Sequence, residues 1–82
     1  MPPQEARVRS PHDFGLILQT ARDAHGWSQR DLAAQLGTSQ RAISEMESGR
    51  PTLWARRLFE LLRANGIELT ARWDDPGEEG SR

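Results

Sequence analysis

Hydrophobic residues recur in two different rhythms along this chain, and the change of rhythm divides it. Phe14, Ile17, Leu18, Ala21 and Ala24 follow one another at three- and four-residue steps, the spacing of one helix face. Ser10-Pro11-His12-Asp13 supplies the start of that helix, with Ser as N-cap, Pro at the first helical position and Asp in the first turn. Gly26 stops it just after His25. Ser28-Gln29-Arg30-Asp31 repeats the start signal with an acid three residues on; Leu32, Ala33 and Leu36 then face inward, and Gly37 ends this second helix. Ser39 caps a third helix that carries Ile43 and Met46 on its inner face and stops at Gly49-Arg50-Pro51. Thr52 caps a fourth, with Ala55, Leu58, Phe59, Leu61 and Leu62 inside and Gly66 as its end.

From residue 67 the period falls to two. Ile67, Leu69, Ala71 and Trp73 alternate with polar residues, the signature of a strand with one half-buried face. Nothing else in the sequence reads as a strand, so the expected partner is the same strand of a second copy, joined through Ile67, Leu69, Ala71 and Trp73. Residues 1–10 are polar, with two prolines and no periodicity, and are expected to form a flexible N-terminal arm. The expected organisation is a four-helix domain over 11–66, a dimerisation strand over 67–73 and a disordered acidic tail over 74–82. The fold class is therefore mainly α, with one C-terminal strand that pairs with a second subunit.

Composition narrows the functions. No apolar run approaches the ~18–20 residues of a membrane span, and the first residues lack the apolar stretch of a secretory signal; a cytoplasmic chain is expected. The absence of Cys and Lys removes disulfides, thiolate metal sites, a P-loop lysine and Schiff-base chemistry. His12 and His25 have no third ligand nearby, so neither a metal nor another cofactor is expected. With no evident acid, base and nucleophile set, the chain is not expected to be an enzyme. Trp27, Trp54 and Trp73 are expected to anchor a core or an interface. Eighty-two residues without disulfides make a marginal core, which suits half of a dimer.

The stretch that carries function is Ser28 to Arg50, SQRDLAAQLGTSQRAISEMESGR. Two helices of about two turns meet at Leu36-Gly37-Thr38-Ser39. Ala33 is small where the second helix must approach, and Gly37 permits a sharp turn. This is a helix-turn-helix arrangement. Ser28-Gln29, Leu32-Ala33, Leu36-Gly37, Ile43-Ser44 and Glu47-Ser48-Gly49 together resemble the lambda-repressor/Cro/XRE family, over roughly residues 12–66. The terminal strand adds a resemblance to the HipB-type antitoxins, whose dimers share an intersubunit sheet.

The resemblance implies that the third helix enters the major groove and that Ser39, Gln40, Arg41, Ser44 and Glu45 face the bases. The residue types suit that role: Arg pairs with guanine, Gln with adenine, and Ser with either. Glu45 has two open readings, acceptance from cytosine or an ion pair with Arg41 one turn away. Ser28 and Gln29 at a helix N-terminus are candidate phosphate contacts, as are Arg50 and Arg56. The implied function is a dimeric repressor on a palindromic operator. In the HipB-type version it is also the antitoxin of a HipA-like Ser/Thr kinase toxin; the alternative is a stand-alone XRE-type regulator.

The net charge of −1 first argues against nucleic-acid binding. Divided by segment, it does not. Residues 1–73 hold ten Arg and eight acids, a net of +2, whereas residues 74–82 hold one Arg and four acids, a net of −3. The body is mildly basic and the acidity lies at one end.

Overall fold

The computed structural model describes residues 4–74. The expected tail beyond Asp74 lies outside the described residues. The order of elements is β1 (Gln4–Val8), α1 (Pro11–Ala24), α2 (Gln29–Leu36), α3 (Gln40–Glu47), α4 (Leu53–Ala64) and β2 (Leu69–Trp73).

All four helices begin on the hydroxyl that the sequence places there. Ser10 Oγ accepts from the Asp13 amide at 3.3 Å, Ser28 Oγ from Asp31 at 3.0 Å, Ser39 Oγ from Ala42 at 3.1 Å and Thr52 Oγ1 from Ala55 at 3.1 Å. Each bond satisfies an amide that the helix cannot pair internally. At α2 the reciprocal bond is present too, from the Ser28 amide to Asp31 Oδ2 at 3.0 Å. Gly37 ends α2 in the left-handed region, φ 67° and ψ 33°, which lets the chain turn into α3 within three residues.

The N-terminal segment departs from the expected arm. Residues 4–8 form β1, which runs antiparallel to β2 in the same chain, with Val8 opposite Leu69, Ala6 opposite Ala71 and Gln4 opposite Trp73. Ala6 and Val8 on one face, with Glu5 and Arg7 between them, are a period-two pattern too short and too weakly apolar to stand out in sequence. Val8 supplies the driving force, because it is buried, opposite Leu69 on the partner strand and around one cavity with Phe59 and Leu62. β2 therefore finds a partner within its own chain. It is also shorter than expected. Ile67 closes α4 instead: its amide donates to Leu62 O at 2.8 Å while the Gly66 amide donates to Arg63 O at 3.1 Å, the double bond that ends many helices.

The core is small and is split between two places. Ala33 and Ile43 are buried between α2 and α3, and Val8 and Phe59 are buried beneath the β-ribbon. Phe14 meets Phe59 edge to face, with centroids 6.0 Å apart. Several expected core positions are exposed instead: Leu36, Met46 and Leu61 outright, Phe14 and Leu18 in part. The inward face of α3 is Ile43 and Glu47, four residues apart, which turns Met46 to the flank. On α1 only Gly15 is buried; Ile17, Ala21 and Ala24 of the predicted stripe are half-buried, and Arg22, a polar residue, shares that half-buried side. Trp54 is 73% exposed and anchors no core in this chain. Trp27 is half-buried and stacks on His25 at 4.2 Å.

Gly15 sets how closely α1 and α3 approach. A methyl group there would overlap the Glu47 carbonyl oxygen and stand 2.8 Å from the Gly49 nitrogen. Among the described residues no helix is long and apolar enough to cross a membrane.

Candidate nucleic-acid interface

The site is built around the two helices that flank Gly37. On α3, Gln40, Arg41, Ser44 and Glu45 are all exposed, while Ile43 and Glu47 on the opposite side face inward. Ser39 is exposed, with its hydroxyl engaged as the cap. Arg41 Nε donates to Glu45 Oε1 at 3.2 Å, which selects the ion pair from the two readings left open for Glu45 in the free chain. Such an exposed pair is worth only ~0.3–0.5 kcal/mol. Arg41 can leave it at little cost when a stronger acceptor approaches.

Beside this face an open cleft of about 420 Å³ is lined by Arg22, Ser28, Gln29, Arg30 and Gln40. It brings the two predicted α2 residues together with the first residue of α3. The positive end of the α2 helix and the Arg30 guanidinium face this cleft, with the Asp31 carboxylate in the same first turn. The Asp31 carboxyl is held below its usual range, first by the Ser28 amide and then by the Ser28 hydroxyl. It remains charged and keeps the helix start in place.

A buried polar group fixes this corner, and the sequence reading missed it. Glu47 is 7% exposed. Arg22 donates to it through Nε at 2.6 Å and Nη2 at 3.0 Å, and Arg22 Nη1 donates to the Trp27 carbonyl at 2.7 Å. Gln29 Nε2 completes the set, donating to Glu47 Oε1 at 3.0 Å. One carboxylate thus ties α1, α2 and α3 together and holds the Gln29 side chain by one amide hydrogen. The bonds from Arg22 hold the Glu47 carboxyl below its usual range; burial opposes them and Gln29 assists. The available signal was the four-residue step from Ile43 to Glu47, which puts an acid on the inward face of α3.

The other predicted contacts lie elsewhere. Arg50 borders an apolar groove between α1 and α4. Arg56 lines a separate cleft of about 750 Å³ together with Arg57, Arg63 and the start of α1. Of the predicted dimerisation residues, Leu69, Ala71 and Trp73 lie at alternate, half-buried positions of β2, and Ile67 precedes the strand.

Two short capped helices joined by a left-handed glycine, with the second presenting a polar outer face, define a DNA-binding helix-turn-helix module. The chain belongs to the helix-turn-helix family of the XRE type, whose family pattern matches residues 18–71. It is 27% identical over 63 residues to the uncharacterized HTH-type transcriptional regulator y4mF of Sinorhizobium fredii, covering 77% of this chain and 83% of that one. It is 25% identical over 64 residues to the antitoxin HipB of Escherichia coli K12, covering 78% and 73%. It is 31% identical over 70 residues to multiprotein-bridging factor 1 of Schizosaccharomyces pombe, but spans only 47% of that protein's length. No solved structure matches the chain. The fold and these relatives make it a DNA-binding transcriptional regulator.

Proposed function

We propose that the chain acts as a dimeric, sequence-specific repressor of the antitoxin type. The observation that carries the DNA-reading part is the exposed outer face of α3 beside the α2 cleft. Gln40, Arg41 and Ser44 would read base edges. Ser28 and Gln29 would hold a phosphate at the start of α2. Arg50 and Arg56 are proposed phosphate contacts further along the backbone. Glu45 restrains Arg41 until DNA binds.

Dimerisation is proposed because operator reading by this motif uses two half-sites about one helical turn apart. The outer edge of β2 has no strand beside it among the described residues, so a second ribbon can add there. The antitoxin part rests on the likeness to HipB, which implies a HipA-like kinase toxin as the second partner. A stand-alone regulator, as the likeness to y4mF suggests, is the alternative.

The test is operator selection followed by binding across a salt series. Affinity should fall as salt rises, with a modest slope, because a dimer of bodies carries only about +4. Arg41→Ala should weaken operator binding by ~1–3 kcal/mol, concentrated at one base pair. Equal weakening on all sequences would make Arg41 a phosphate contact instead. Co-purification with a kinase-like protein encoded next to this chain supports the antitoxin reading; free repression without it leaves the stand-alone regulator.

A further inference from the structure

An apolar groove of about 360 Å³ runs between α1, the C-terminal end of α3 and the first turns of α4. Phe14 and Leu18 of α1, Met46 of α3, and Trp54 and Leu58 of α4 line it. Met46 is 62% exposed and Trp54 73% exposed. We infer that this groove is the site at which a second copy of the chain docks, each copy placing its Trp54 in the other's groove. The inference rests on the dimeric reading above and locates its helical contact.

Three observations support a second copy as the occupant. The first is the poverty of the core. Only Val8, Ala33, Ile43 and Phe59 are buried apolar residues among those described, and no side chain is fully buried. A chain that leaves this much apolar side chain in water has half a core. The second is area. Weighted by their exposure, Phe14, Leu18, Met46 and Trp54 offer on the order of 400 Å², about half of the ~800 Å² each partner gives to a stable interface, so the groove is the helical part of a contact whose remainder falls to the open edge of β2. The third is shape. The patch holds a concavity and a projecting indole side by side, and a two-fold contact requires one surface that is complementary to itself. Tryptophan seated in a pocket is also the commonest kind of dominant interface residue.

The position of Met46 gives the contact a consequence for DNA reading. Met46 is on α3, one turn beyond Ile43 and next to Glu47. A partner resting on it touches the C-terminal end of the helix whose N-terminal residues are proposed to read bases. The same contact that holds two copies together then sets the separation of their two α3 helices, and with it the accepted half-site spacing.

Sedimentation velocity on the full chain, with Trp54→Asp, Met46→Glu and Leu36→Asp variants, tests this. Trp54, Met46 and Leu36 are all exposed, so the variants keep their helices, which far-UV circular dichroism verifies. Trp54→Asp and Met46→Glu should each raise the dimer dissociation constant by at least about 30-fold, the loss typical of a dominant interface residue. Leu36→Asp, exposed but outside the groove, should leave it unchanged. A dimer indifferent to Trp54→Asp and Met46→Glu overturns the inference, as does equal loss with Leu36→Asp. A natural chain that is monomeric and binds the apolar dye ANS in this groove also overturns it, and points to a foreign occupant. A natural dimer that loses its pairing in the groove variants but binds no operator would leave this contact standing and remove the DNA-reading proposal.

Discussion

Gly15→Ala should destabilise the domain by about 3 kcal/mol or more, at or above the upper end of what overpacking usually costs. Helix propensity alone gives the opposite sign, since Ala in place of Gly within a helix gains ~1 kcal/mol. The structure reverses it because the new methyl meets backbone, the Glu47 carbonyl and the Gly49 nitrogen, and neither can rotate away. α1 would have to move off α3, taking Arg22 away from Glu47. Urea denaturation of the variant decides the matter. A lower midpoint with an unchanged slope confirms a native-state clash, and a raised midpoint would show that α1 and α3 are not in close approach.

Glu47→Ala should cost ~3 kcal/mol, the low end for breaking a buried pair, because the Arg22 guanidinium loses its bidentate acceptor and keeps only Asp23 at 3.2 Å and the Trp27 carbonyl. Arg22 is only 10% exposed and has little access to water. That loss is a large share of the ~5–15 kcal/mol by which small domains are stable. The double variant Arg22→Met with Glu47→Leu should recover much of it, since an apolar pair of similar volume often replaces a buried ion pair without net loss. It would still release the Gln29 side chain, so operator affinity should remain reduced after stability returns. The pH dependence follows from the depressed Glu47 pKa. Its carboxyl ionises more readily folded than unfolded, so its contribution is complete above the ordinary value of 4.5 and is lost as pH falls through the folded value. Glu47→Gln should flatten stability against pH on the acid side. A residual acid slope should remain from Asp31, whose pKa is also lowered. An acid limb identical to that of the natural chain would show that Glu47 is not held as described.

Much of this was legible in the residues, for reasons that differ by element. The caps Ser10, Ser28, Ser39 and Thr52 announced four helix starts because hydroxyls at those positions do local work that needs no tertiary partner. Gly37 was equally plain, and so was the polar outer face of α3. What escaped was set by packing. β1 carries Ala6 half-buried and Val8 buried, and only its pairing with β2 and its packing on α1 give that short pattern a meaning. Met46 and Glu47 exchange the roles expected of a hydrophobe and an acid. Periodicity points out a face but not its angle to within one residue, and Arg22 on α1 supplies the charge that draws Glu47 inward. Gly15 carries no pattern at all; its meaning lies entirely in the helix that crosses it.

The β-ribbon has a consequence for how the molecule is assembled. Its strands come from opposite ends of the described chain, so Val8 cannot meet Leu69 until all four helices have been synthesised. Helices made of neighbouring residues form quickly, whereas contacts between distant residues must first overcome the entropy of closing the loop between them. The helices should therefore gain protection from hydrogen exchange early during refolding, and the amides of β1 and β2 late. A growing chain would carry Val8 uncovered until Leu69 has been made, the interval in which it is most open to capture by a chaperone or a protease.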